Sequence, residues 1–250
     1  MTKKSDVFNK FLETFETDEM RDYCRDMIEK APNYLWQIPS STSYKYHNKT
    51  QCQPGGQLYH VLMACEIMNY ILGLEYVKNK WDKPKQRDCF RTSICLHDAA
   101  KCGFNEAEPL FTVHEHPVWC AEWIERTKVE HDIDDKVKRY IGRLVASHSG
   151  EWISSKRSNT ILPKLENDEQ FLIHLCDYLA SRANIDMIYD EEIMDAINSF
   201  QKAPSTDEYK MPFGKHSGKP LSEVPIDYLQ WLSTTDLKEP LRSLVKEVVG

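Results

Sequence analysis

The chain has 250 residues, 41% of them hydrophobic and 28% charged, and a formal charge of −7. That length buries a substantial core and reads as one domain with a smaller appendage, while the acidic balance excludes a general electrostatic grip on a long duplex, which needs basic groups to neutralise phosphates. No apolar run reaches the roughly 18 residues of a membrane span, and Met1-Thr2-Lys3-Lys4-Ser5-Asp6 lacks a hydrophobic leader, so a cytoplasmic protein with no membrane partner is expected.

In chain order, Val7, Phe8, Phe11, Leu12 and Phe15 recur at helical spacing and predict a helix from Ser5 to Phe15. Thr17 opens a second one through about Lys30. Both read as packing helices. Residues 31–56 lack periodicity and carry Pro, Ser, Asn and a Gly-Gly, which predicts an irregular segment. As a long connection beside a candidate site, it is expected to border a substrate entrance at Tyr44, Lys45, Tyr46 and His47. Further helices are predicted near 57–79, 85–101, 117–127, 134–148, 168–188 and 190–202. No stretch alternates as a strand would, so the fold class is all-α, a helical bundle.

The chemistry-bearing residues are spread over these helices. His97-Asp98 closes the apolar stretch Phe90–Leu96, His60 follows Gly55-Gly56, His116 precedes Pro117, His148 stands in Ser147-His148-Ser149-Gly150-Glu151, and Asp177 lies in Leu175-Cys176-Asp177-Tyr178. Imidazole nitrogens and carboxylate oxygens together suit divalent first-row metals, and a bundle can bring such groups together from separate helices. Phe90, Ile94 and His97 share one helical stripe, and Val137, Ile141, Leu144 and His148 share another, so these histidines point inward. Burying a ring there costs free energy unless a metal or a hydrogen-bond partner satisfies it. Asp98 is placed to bridge two metals.

These residues resemble the signature of the HD superfamily of metal-dependent phosphohydrolases: a His, a His-Asp pair and a later Asp, over about residues 50–190. The resemblance implies His60, His97, Asp98 and Asp177 as core ligands, with His116 and His148 added in members that hold two ions. It implies two divalent cations, among Mn, Fe, Ni, Co, Zn and Mg, and hydrolysis of a nucleotide, dinucleotide or short oligonucleotide by metal-activated water. HD-type 3'-to-5' exoribonucleases and diadenosine tetraphosphate hydrolases are the most similar subgroups. Where many of the exonucleases carry His-His-Gly, this chain has His148-Ser149-Gly150. Asp98 and Lys101 are the expected catalytic residues, and Lys101 and Arg182 would meet the phosphate. His116 is preferred to neighbouring His114, because Pro117 fits the first turn of a helix that the family opens with a His. His174 either orients Asp177 or fills the core, and His131 is expected on the surface.

After Ala203 the character changes, so residues 1–203 are taken as the phosphohydrolase domain and 207–250 as a small, mostly helical second unit. Met211-Pro212-Phe213-Gly214-Lys215-His216-Ser217-Gly218 followed by Pro225-Ile226-Asp227-Tyr228-Leu229-Gln230-Trp231 resembles a small domain of unassigned activity found in bacterial and phage proteins. A glycine-turned loop bearing Lys210, Lys215, His216 and Lys219 could meet a phosphate, with Lys215 and Lys219 as substrate-binding candidates. Tyr228 and Trp231 would stack on a base or, as ordinary burial favours, form the unit's own core. The eight cysteines form no Cys-x-x-Cys pair and read as reduced core residues.

Overall fold

The computed structural model describes residues 3–41, 46–104, 112–187, 189, 191, 193–195, 205–237 and 241–250. Among them the secondary structure is helical, without a strand; Ser155–Ser158 and Lys210–Pro220 are isolated bridges. The chain is therefore all-α.

The segment expected as one helix from Ser5 to Phe15 is instead a 3₁₀ turn, Lys4–Phe8, followed by a short α1 (Asn9–Leu12). Tertiary partners tighten it: the Ser5 N–H donates to Glu29 Oε1 at 2.7 Å and the Lys4 ammonium to the Ala31 carbonyl at 2.6 Å. Its apolar residues are buried all the same, against α2 (Asp18–Lys30) and the rest of the core. The irregular segment holds only 3₁₀ turns, Asn33–Trp36 and Thr50–Cys52. Tyr44 and Lys45 lie outside the described residues.

The central element is α3 (Gly56–Gly73), apolar around most of its circumference and buried at Leu58, Val61, Leu62, Met63, Cys65 and Met68. It cannot have a side chain at position 56, because an added Cβ would overlap the Gln51 carbonyl. The predicted helix over 57–79 breaks after Gly73, where extended Leu74 (ψ 134°) leads into α4 (Glu75–Lys80). Next come α5 (Pro84–Leu96), α6 (His116–Arg126), α7 (Asp135–Ala146) and α8 (Asp168–Ala180). Pro84 starts α5; the side chains of Asp134 and Asn167 cap α7 and α8. α5 packs against α2, α3, α7 and α8, and α6 lies along α7. Two predicted ends were too long: α5 stops at Leu96 rather than 101, and α8 at Ala180 rather than 188, each giving way to turns. Most of the predicted helix over 190–202 lies outside the described residues.

The tail has a hydrophobic cluster of its own, Met211, Leu221, Val224, Leu229, Leu232, Leu237, Leu241, Leu244 and Val245, around α9 (Ile226–Ser233) and α10 (Leu241–Val249). Gly214 (φ +79°) turns the Lys-rich loop and leaves room for Tyr228, whose hydroxyl an added Cβ would strike. The eight thiols are free, all buried except half-buried Cys102. Among the described residues no helix is long and apolar enough to cross a membrane.

Candidate metal centre

The six predicted ligands come together. His60 is on α3, His97 and Asp98 begin the turn after α5, His116 is the first residue of α6, His148 lies just past α7, and Asp177 is on α8. The register that put His97 and His148 on apolar stripes delivers their rings into the bundle, where both are buried, as are His60 and Asp98.

Three of the four imidazoles are held in one tautomer. Nδ1 of His97, His116 and His148 lies 2.6, 2.6 and 2.8 Å from the carbonyls of Ile94, Val113 and Val145. A carbonyl only accepts, so each Nδ1 carries the proton and each Nε2 turns a lone pair inward. The Nε2 atoms of His116 and His148 stand 3.1 Å apart, and in the neutral rings neither has a hydrogen to offer the other. A shared cation would resolve that opposition. His97 Nε2 and both ring nitrogens of His60 are buried without a hydrogen-bond partner, although His60 Nε2 is 3.0 Å from Asp177 Oδ1. Donors this close but not aligned to bond one another are what a common ion requires.

Asp98 lies between two groups of donors. Its Oδ1 is 3.1 Å from His116 Nε2 and 3.7 Å from His148 Nε2; its Oδ2 is 3.5 Å from His97 Nε2 and 3.9 Å from His60 Nε2. Asp177 Oδ1 completes the second group, 3.0 and 3.6 Å from His60 and His97. Ligands bound at about 2.0–2.2 Å from one ion stand about 3 to 3.5 Å apart, and the 3.0, 3.1 and 3.5 Å separations fall in that range. The result is two overlapping triads, His60–His97–Asp98 and Asp98–His116–His148, that share Asp98 and are compatible with a metal site.

Burial pushes the His60 ring below its usual range, and burial, then the neighbouring His116 and His97, push His148 down to about 3, so both rings stay neutral. Burial acts downward on His97 too, but Asp98 and Asp177 outweigh it and its pKa rises. Burial would raise both carboxylates; Lys101 and His97 hold Asp98 well below the usual range, and the adjacent His60 and His97 rings do the same for Asp177.

Around this centre, Lys101 Nζ donates to Asp98 Oδ2 at 2.7 Å and Gln57 Nε2 donates to the same oxygen at 2.9 Å. Sequence reasoning missed Gln57, although it lies three residues before His60 and hence on the same helix face. His47, expected at the entrance to the site, lies against it: its ring is 5.5 Å from that of His60, bonded to Gln51 at 2.7 Å and pushed down to about 4 by burial. His114 faces away, 3.1 Å from the Thr160 carbonyl, and His131 pairs with Asp26 near the surface. His174 does not reach Asp177; its Nδ1 donates to the His148 carbonyl at 2.8 Å. Arg182 lies over the Tyr178 ring, 4.0 Å from its centroid. Lys215 and Lys219 are exposed on the tail's Gly214–Gly218 turn, His216 packs on Tyr228, and Trp231, 57% exposed, is not part of the tail's core.

A family model described as "Putative quorum-sensing-regulated virulence factor" matches residues 204–240, a stretch confined to the tail. Comparisons with curated proteins and with solved structures give no match. The family likeness therefore belongs to the Gly214 loop and α9, and the centre around Asp98 is read from its own geometry.

Proposed function

We propose that the chain is a metal-dependent phosphohydrolase of the HD type, cleaving a phosphate ester or anhydride of a nucleotide, dinucleotide or short oligonucleotide. The observation that carries this reading is Asp98, with one oxygen turned to each histidine pair, beside inward lone pairs that have no proton to share. Mixed imidazole and carboxylate donors favour Mn, Fe, Co, Ni or Zn over Mg, which prefers oxygen. When bound, two such cations supply Lewis acidity toward a phosphate oxygen and make water a nucleophile near neutral pH.

The chain's own residues do the rest. His97, His116 and His148 are locked by their carbonyls, so the ligand set is formed in advance. Gln57 and Lys101 orient Asp98, and the Lys101 ammonium keeps two further donors for a phosphate oxygen. Lys101 offsets one of the two carboxylates, and two divalent cations would more than offset the other, which would let an acidic protein hold phosphate.

Elemental analysis of the purified protein, followed by a screen with Mn(II), Co(II), Ni(II) and Fe(II), tests this reading. The substrates are mononucleotides, dinucleoside polyphosphates, end-labelled strands and bis(p-nitrophenyl) phosphate. Stoichiometric metal with turnover of at least one of them is expected. Protein that takes up no metal and turns over none of them would be a helical binding scaffold instead.

A further inference from the structure

Beside the candidate centre, one face of α8 carries a run of aromatic side chains, Phe171 exposed and His174 and Tyr178 half-buried. Phe171, His174 and Tyr178 follow one another at i, i+3 and i+7, and Arg182 continues the line just past the helix end. Ring centroids are 6.4 Å apart for Phe171–His174 and 5.9 Å for His174–Tyr178. Trp152, from the turn after His148, joins them, 5.9 Å from Tyr178 with the ring planes only 9° apart and 5.8 Å from His174. The Arg182 guanidinium then sits between Tyr178 and Tyr46, at 4.0 and 5.4 Å. Trp152, Phe171 and Tyr46 are 52%, 50% and 50% exposed. Exposed Tyr70 and Tyr76 on α3 and α4 have no ring contact of this kind among the described residues, so the continuity sets this face apart, not exposure alone.

We propose that this face is a stacking rail for the bases of a single-stranded nucleic acid whose phosphodiester reaches the centre at Asp98. The proposal rests on the phosphohydrolase reading and narrows its substrate to a strand of more than one nucleotide.

Three observations carry it. The rail is fixed to the ligands: Tyr178 follows Asp177, and His174 is bonded to the His148 carbonyl and packed where a Cβ at Gly150 would fall. From Phe171 to Tyr178 the helix rises about 10 Å, at about 1.5 Å per residue. A stacked strand advances about 3.4 Å per nucleotide, so the rail exceeds what one base can use. Arg182 forms no ion pair among the described residues, leaving one cation for a backbone phosphate on an otherwise acidic chain. Aromatic faces with one guanidinium recognise bases by stacking, whatever their identity, and not by a broad basic track.

The test measures anisotropy of fluorescent oligothymidylate and oligoadenylate with the full chain in EDTA, so that binding is read without hydrolysis. Saturable binding by wild type is expected, with Kd raised roughly 5- to 150-fold in Trp152→Ala and in Phe171→Ala, the size of one lost stack. Trp152→Phe should recover most of that loss. Kd should rise by about one power of the salt concentration, as for one or two phosphate contacts, and not by the six or more of a basic track. No strand binding by wild type, alanine variants within about twofold of it, or a steep salt dependence each overturns the rail; so does concentration-dependent self-association abolished by Trp152→Ala, which would make the face a contact between copies. Hydrolysis of bis(p-nitrophenyl) phosphate by Mn(II)-loaded wild type, a substrate without bases, reports separately on the phosphohydrolase reading. Protein that takes up no metal and turns over neither this ester nor any other substrate of the screen, yet shows stacking-dependent binding, would sink that reading and leave the rail standing.

Discussion

Within the first eight residues of α5, Arg87 and Arg91 share the carboxylates of Glu16 and Asp88; just past the C-terminal end of the same helix, His97 and Asp98 face His60, His116, His148 and Asp177. Both clusters are polar groups inside an apolar bundle, and desolvation costs both. The first is closed by its own members. Asp88 accepts from the Glu16 and Thr17 N–H groups, the Thr17 hydroxyl and Arg91, while Arg87 grips both oxygens of Glu16 and bonds the Trp81 carbonyl at 2.6 Å. Two cations meet two anions, and the acceptors have hydrogens aimed at them. The second has acceptors facing acceptors, with Nε2 of His97 and of His60 left over. The first network balances among its own members; the second, with its lone pairs converging, is compatible with a metal site.

Removing a carboxylate from each cluster separates the two most sharply. Asp98→Ala takes away the group shared by both triads, so bound metal should fall below stoichiometry. Metal-dependent kcat/KM should drop by more than the roughly 100-fold typical of losing an outer partner alone. Full metal content in this variant, read by elemental analysis, would mean that the triads are not the site. Asp88→Ala should act on folding instead. It leaves Arg91 buried with a weakened partner and should cost about 3–5 kcal/mol in denaturant melts, while the protein that remains folded keeps its metal.

Gly150→Ala should couple the two behaviours. Gly150 sits at φ +64° with the His174 ring where a Cβ would be, and His174 holds the His148 carbonyl. The strain should cost about 1–3 kcal/mol of stability, and displacement of His148 should weaken metal binding roughly 10- to 100-fold in competition with a chelator. Lost stability with unchanged affinity would show that His174 packs the turn without positioning the ligand.

How far these differences can be read from the chain follows from which of them are local. The stripes Phe90–Ile94–His97 and Val137–Ile141–Leu144–His148 are helical periodicity, so inward-pointing histidines were legible, and six ligands on five segments followed from residue type and order. The break at Leu74 and the early ends of α5 and α8 were not, because apolar spacing runs on through turns that still bury the same side chains. Gln57 was within reach, one turn before His60. The balanced cluster was not, since Glu16 and Arg87 meet only once α5 has packed beside α2. Nor was the rail: Phe171, His174 and Tyr178 are a stripe that any amphipathic helix shows, and Trp152 joins it only through the turn at Gly150.

The smallest expected effect is a pH dependence that belongs to the balanced cluster alone. The Arg87 guanidinium, with help from Arg91 and against some burial, lowers the Glu16 carboxyl to about 2. A depressed folded-state value means that Glu16 adds stability above its ordinary value of 4.5 and that the contribution fades as the pH falls from there toward about 2. Because its side chain is about one-third exposed, solvent screening limits that contribution to about 1 kcal/mol. Glu16→Gln should therefore melt lower than wild type at neutral pH, and the gap should narrow by more than half as the pH falls to 3. The measurement belongs in EDTA, since metal affinity is lost in acid for a separate reason, protonation of the ligands. A gap that stays constant down to pH 3 would assign the stabilisation to the shape of the Glu16 side chain and not to its charge, and the cluster would then differ from the metal centre in packing more than in electrostatic balance.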